Sequence, residues 1–459
     1  MKRSTVISSA LSLSLLFSGA VTVSASGTSV VASKDHHPNH GKQVRYPTLK
    51  KTNHPEDVGF SSEKLKKVDQ LIEEDVKNGF PGAVLLIVKD GKIVKNTAYG
   101  YAKKYDGLTP LKHPQKMKTD TMFDLASNTK MYAVNFALQK LVSEKKIDLN
   151  ARVQDYIPEF HDQPGDQIKG KDTLRIIDIL HHSAGFPPDP QYFKPTAGGG
   201  ALYSQERAKT LQLISKTPLQ YEPGTKNIYS DVDYMLLGYI IENITGEQLD
   251  RYVENHIYKP LGLKHTMFNP LQKGFKPRDF AATELMGNTR DGIINFPNVR
   301  TYTLQGEVHD EKAFYSMGGV SGHAGLFSNT NDLAVLLQVM LNNGGYGNVK
   351  LFDKATIDEF VQPSELNPTY GLGWRRNGDA SMEWMFGPYA SENVVGHTGW
   401  VGTLTVIDRE ENLGIVLLTN KKHSPLVDPK VDSNKFAGDA FGTGKYGSVV
   451  TAVYEALQK

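Results

Sequence analysis

Two pairs of apolar runs stand near opposite ends of this 459-residue chain, and they constrain its fold more than anything between them. Residues 83–89 and 92–99 flank Asp90-Gly91, the dipeptide that best supports a tight hairpin turn. Near the other end, residues 402–408 and 413–418 flank the polar turn Arg409-Glu410-Glu411-Asn412. The intervening chain is of another kind. Segments 131–142, 174–180, 233–243 and 332–341 carry apolar residues at helical spacing. A helix led by Ser61, with Leu65, Val68, Leu71 and Ile72 on one face, precedes the first hairpin and stops near Gly79; another, at 448–457, closes the chain. The economical arrangement is an α+β fold, one antiparallel sheet assembled from both ends and flanked by helices, with a mostly helical region inserted. That makes one folded region at 56–459, its sheet part at about 56–120 and 390–459 and its helical part at about 121–389.

The N-terminus is a different signal. Lys2 and Arg3 precede an apolar run over 6–23, and Val23-Ser24-Ala25 supplies small residues, the pattern of a secretory signal peptide over 1–25. Residues 26–55, rich in Ser, Lys, His, Pro and Asn, read as a flexible leader, in which His36, His37 and His40 are an incidental cluster. After cleavage no segment is apolar enough to span a bilayer, so the protein is expected outside the cell or associated with the wall, as a monomer. The chain has no cysteine, which removes a disulfide framework, a thiol nucleophile and a Cys-ligated zinc site. Its net charge of +2 gives no reason to expect nucleic acid as a partner. The Gly-rich loops at 197–200 and 318–325 precede no Lys-Ser/Thr pair, so neither is a P-loop.

Chemistry concentrates at Ser127-Asn128-Thr129-Lys130. Two other Ser-x-x-Lys matches, Ser61…Lys64 and Ser143…Lys146, lie in polar stretches. Ser127 instead follows the apolar Met122-Phe123 and opens an apolar helix. Ser and Lys at i and i+3 share a helix face, and the helix N-terminus adds positive potential. A lysine partly buried there loses part of its preference for charge and can take the serine proton. Tyr229-Ser230-Asp231 follows a Pro-Gly turn and leads into a helix. It reads either as a phenol that relays a proton or as a packed Tyr with Asp231 as helix N-cap. His397-Thr398-Gly399 lies on the strand before the last hairpin. Gly399 permits close backbone approach, and a following N–H can join that of Ser127 in an oxyanion hole. A satisfied strand histidine is the other reading.

In this order, the three elements resemble the S-x-x-K, Y-x-N and K-T-G motifs of serine β-lactamases and penicillin-binding proteins, and the tyrosine form is similar to the class C branch. Ile179-Leu180-His181-His182-Ser183-Ala184-Gly185-Phe186-Pro187 and Tyr370-Gly371-Leu372-Gly373-Trp374 resemble that branch as well. The resemblance implies a catalytic domain of that fold with its site between sheet and helices. Ser127 would be the acylated nucleophile, Lys130 its base or relay, and Tyr229 the acid/base partner. The backbones of Ser127 and Trp400 would hold the oxyanion, and no cofactor is implied. Asp231 stands where the family often has Asn, and His397 where it often has Lys. A histidine mostly neutral near pH 7 weakens the case for a β-lactam or a terminal carboxylate. Gly306-Glu307-Val308-His309-Asp310 and the stretch 322–328 resemble secreted N-acetylmuramoyl-L-alanine amidases of Bacillus-type muropeptide recycling. That implies a muropeptide or cell-wall fragment as substrate. His309, Asp310 and His323 then either line its cleft or cap a structural loop. No zinc-site spacing accompanies them.

Overall fold

In the computed structural model, which describes residues 45–458, strands from the two ends of the chain meet in one sheet. Its strands are β1 (Lys50–Lys51), β2 (Gly82–Lys89), β3 (Lys92–Asp106), β4 (Thr109–Lys116), β5 (Arg375–Arg376), β6 (Val395–Gly399), β7 (Thr403–Asp408) and β8 (Leu413–Thr419). The order is β1-β3-β2-β8-β7-β6-β5, with β4 beside β3. The two hairpins join through β2 and β8, where Leu85 faces Leu417 and Ile87 faces Ile415. All pairs are antiparallel except the short β1–β3 edge.

The near-continuous apolar character of β2 follows from burial on both faces. Ala83, Leu85 and Ile87 pack with α1 (Ser62–Lys77) and the C-terminal helix α5 (Gly447–Glu455). Val84, Leu86 and Val88 point the other way, into the larger core with α2 (Phe136–Ser143), α3 (Asp231–Thr245) and α4 (Thr330–Leu341). The Ser61 side chain caps α1 by accepting from the Lys64 N–H at 3.2 Å, so that Ser-x-x-Lys match is a helix cap. Among the described residues, no helix is long and apolar enough to cross a membrane.

Three features depart from the sequence reading. Residues 45–55, assigned to the flexible leader, are already tied down. Tyr46 N donates to Gly347 O at 2.7 Å, and β1 pairs with Lys92 and Ile93. Their composition is polar, but the edge of β3 needed a partner for its backbone groups. The signal peptide, residues 26–44 and the His36/His37/His40 cluster lie outside the described residues. The sheet also recruits β5 from inside the helical region; two residues are too short to announce a strand. Finally, the helix expected at 131–142 begins with wide π-type turns over Lys130–Asn135 before α2. Such turns are common beside functional groups.

Candidate active site

The site forms where the turn before Lys130, the start of α3 and the strand β6 converge. Ser127 sits in a tight turn after Phe123–Asp124. Ala126 holds a left-handed φ of 44°, a conformation a non-Gly residue keeps only when its surroundings enforce it. Asp124 does so: one carboxylate oxygen accepts the Ala126 N–H at 2.8 Å and the other that of His309 at 2.6 Å. From beyond the turn, Asn128 reaches β6 and β7. With its oxygen turned to the Gly399 N–H (3.3 Å) and Thr403 hydroxyl (3.0 Å), its nitrogen faces the His397 carbonyl and Thr405 hydroxyl, both at 3.2 Å.

Lys130 is fully buried. Its ammonium donates to Ser127 Oγ at 3.1 Å, to Asp231 Oδ1 at 2.8 Å and to the His323 carbonyl at 3.0 Å. It lies 4.9 Å from the centre of the Tyr229 ring. Burial pushes this lysine down, but the Asp231 carboxylate and the Tyr229 phenol outweigh it and the net shift is upward. This corrects the expectation of a lysine drawn toward neutrality: at rest Lys130 is a cation that donates to the serine. Desolvation was legible in the sequence, whereas the carboxylate 101 positions away was not.

Asp231 is the first residue of α3, capped by Ser230, whose side chain accepts the Val232 N–H. The N-cap role thus belongs to Ser230. Despite burial, Lys130 and Lys312 hold the Asp231 carboxyl well below the usual carboxylate range. Its second oxygen meets Lys312 Nζ at 3.1 Å. Lys312 also pairs with Asp189 and, at 3.5 Å, with Asp310. Burial favours a neutral Lys312; Asp310, Asp231 and Asp189 reverse that and hold it well above its ordinary value. His323 Nε2 meets Asp310 Oδ1 at 2.8 Å. Asp231, Asp310 and His323 are close enough together to hold a metal ion. Their facing atoms already serve the two ammoniums and one another, so this donor set balances buried lysines and fits a cation poorly.

His309 goes elsewhere. Its ring stacks on Trp400, centroids 4.8 Å apart at 26°, and its Nε2 meets Glu284. Trp400 is 36% exposed, with Lys422 and Arg290 also against its ring. The backbone N–H groups of Ser127 and Trp400 have no acceptor among the described residues, as an oxyanion hole requires. Gly399 is where β6 crosses the Leu125 carbonyl, and a Cβ there would strike that oxygen and Thr403 Oγ1. Gly399→Ala is therefore expected to cost about 1–3 kcal/mol by overpacking, with a larger proportional loss of kcat/KM because the displaced carbonyl leads into Ser127. Urea unfolding beside steady-state kinetics checks this; normal turnover at normal stability contradicts the contact.

His397 is 2% exposed. Its Nδ1 donates to the Thr398 carbonyl at 2.7 Å, and its Nε2 has no partner among the described residues. Burial, then the charges of Arg375 and Lys130, hold its imidazole down at about 3. Tyr229 lies between His397 (ring centroids 6.0 Å) and the buried His182 (4.6 Å). Burial likewise brings His423 to about 3. Both histidines have folded-state values below the unfolded value of about 6.5. Their contribution is complete above that pH and is lost as pH falls from about 6.5 toward 3. The urea midpoint is expected to decline across that interval; a level midpoint from about pH 6.5 to 4.5 would contradict neutral buried imidazoles.

The structure thus gathers Ser127, Lys130, Tyr229, Asp231, Asp310, His323 and His397 around one point, with Thr398, Gly399 and Trp400 along its strand edge. Sequence reasoning missed Lys312, Asp189 and Arg375. Lys312 lies two residues beyond Asp310, and Arg375 directly follows Trp374 of the Tyr370-Gly371-Leu372-Gly373-Trp374 stretch.

A partly exposed serine on a buried lysine, beside a phenol and two N–H groups without acceptors among the described residues, between a sheet and a helical region, defines a hydrolase of the serine β-lactamase and penicillin-binding-protein architecture. The chain belongs to the β-lactamase family, whose model, described as Beta-lactamase, matches residues 68–438. It is 64% identical over 403 residues to a Bacillus subtilis (strain 168) protein named N-acetylmuramyl-L-alanine amidase, covering 88% of this chain and 91% of that one. It is 61% identical over 415 residues to a Salmonella typhi protein named putative D-alanyl-D-alanine carboxypeptidase, covering 90% and 96%. Among solved structures, the octameric penicillin-binding protein homologue from Pyrococcus abyssi shares the fold, with a TM-score of 0.58 at 21% identity over 79% of this chain and 74% of that one.

Proposed function

We propose that this hydrolase is an exported N-acetylmuramoyl-L-alanine amidase acting on peptidoglycan fragments, through an acyl-enzyme on Ser127. The observation that carries the reading is the 64% identity to the Bacillus subtilis amidase over 91% of its length. The Ser127–Lys130–Asp231 cluster supplies the chemistry. Ser127 Oγ attacks the lactyl carbonyl of the muramic acid. Tyr229, with the Lys130 ammonium 4.9 Å from its ring centre, accepts the serine proton as it gives up its own to the leaving L-alanine nitrogen. The N–H groups of Ser127 and Trp400 receive the oxyanion, and water then hydrolyses the ester. Substrate binds along β6: β5 pairs with it only as far as Gly396, which leaves the edge at Thr398 and Gly399 open to an extended ligand. Export rests on the signal-like pattern at 1–25, and the task of the enzyme would be muropeptide recycling.

The name of the Salmonella relatives favours a second reading, release of a terminal D-alanine. Mass spectrometry of the enzyme with N-acetylmuramoyl-L-alanyl-D-isoglutamine, and separately with a D-alanyl-D-alanine peptide, distinguishes them. Free N-acetylmuramic acid from the first, with the second intact, is the expected result. Free D-alanine from the second alone would replace the amidase with a carboxypeptidase.

A further inference from the structure

Several of the cations around this site are neutralised by carboxylates. Lys130 has Asp231, Lys312 has three aspartates, Arg290 has Glu284 and Glu311, and Lys422 has Asp439. Arg375, on β5, has no carboxylate partner among the described residues. Its guanidinium lies over two rings instead, 4.3 Å from the centre of Tyr370 and 5.4 Å from that of Tyr229. The neighbouring Arg376 points the opposite way, into the core against the Val361 carbonyl and Asn393. Strand alternation thus turns one arginine into structure and leaves the other facing the site. Arg375 pairs across the strands with Gly396, next to His397, so it brings a fixed charge to the region where His397 is neutral.

We infer that Arg375 binds a carboxylate on the leaving-group side of the scissile amide, so that the preferred substrates release an anionic peptide. The side follows from Tyr229. In the function proposed above, on which this inference rests, that phenol protonates the leaving nitrogen, and Arg375 lies against the same ring. Tyr370 holds the planar guanidinium in place, which suits a two-point contact with a carboxylate. A charge-assisted contact of this kind changes affinity by about tenfold or more.

The test compares N-acetylmuramoyl-L-alanyl-D-glutamate with its diamide, using wild type, Arg375→Gln and Arg375→Lys. Wild type is expected to favour the diacid by about tenfold or more in kcat/KM, chiefly through KM. Arg375→Gln brings that ratio near one, and Arg375→Lys restores part of it. A ratio that Arg375→Gln leaves unchanged overturns the assignment, whatever happens to the absolute rates. A second readout needs no turnover: L-alanyl-D-glutamate, and not its diamide, should slow fluorophosphonate labelling of wild type, and Arg375→Gln should erase that protection. Arg375-dependent protection without cleavage of any muramoyl peptide would keep the carboxylate site and discard the amidase. Cleavage with neither preference nor protection would do the reverse.

Discussion

Ser127→Ala is expected to lower muramoyl-peptide cleavage by about 10⁴-fold or more, since a nucleophile and its proton-transfer partners act as one unit. Stability should move little, within about 0.5–1 kcal/mol, because Ser127 is only partly buried and its hydroxyl has a single partner among the described residues, Lys130. The same variant should lose the mass increment that a fluorophosphonate adds to the wild-type chain. Substantial turnover in Ser127→Ala would move the nucleophile elsewhere. Turnover lost with labelling intact would separate the labelled residue from catalysis.

Asp231→Asn carries the second large effect, and here stability and chemistry are coupled. Among the described residues Asp231 is the only carboxylate paired with Lys130, whereas Lys312 keeps Asp189 and Asp310. The amide can still accept a hydrogen bond but carries no charge, so it leaves a fully buried ammonium with no carboxylate partner among the described residues. Breaking a buried pair in this way costs roughly 3 kcal/mol or more. Asp231 has a depressed value in the folded protein, so its contribution is complete above the unfolded value of about 4 and is lost as pH falls below it. Lys130 has a raised value, so its contribution is complete below about 10.4 and is lost as pH climbs through the folded value. The difference between wild type and variant should therefore be full between about pH 4 and 10 and shrink on either side. Burial then dominates Lys130 in the variant and draws it toward neutrality. The alkaline limb of the kcat/KM profile should move to lower pH. Urea unfolding and a pH–rate profile decide this together; unchanged stability with an unmoved limb would mean that Asp231 does not hold the lysine charged.

The contrast between Lys130 and Ser127 shows which parts of the site can be read in one dimension. Ser127 and Lys130 are three residues apart, so their proximity is local geometry. The decoy at Ser61…Lys64 has the same spacing and forms a helix cap, and only flanking apolarity separated the two beforehand. The helices at 233–243 and 332–341 were legible for the same reason, appearing as Asp231–Thr245 and Thr330–Leu341. The order of 45–55 is not legible in composition, because it comes from backbone pairing with a sheet edge, which leaves no mark on side-chain type. His309 and Asp310 are adjacent in sequence yet serve different ends, one against Trp400 and the other against Lys312.

By itself, the sequence determined the strands at both ends, the helical middle and the closeness of Ser127 and Lys130, the pair proposed to carry the acylation. Periodicity and i to i+3 spacing are local properties that survive without a fold. Tertiary structure alone decided the charge state of Lys130, the neutrality of His397 and the freedom of Arg375. Each depends on how much water is excluded and on which charges arrive from distant segments, and Coulomb energies in a buried site are set by distances that sequence separation does not encode.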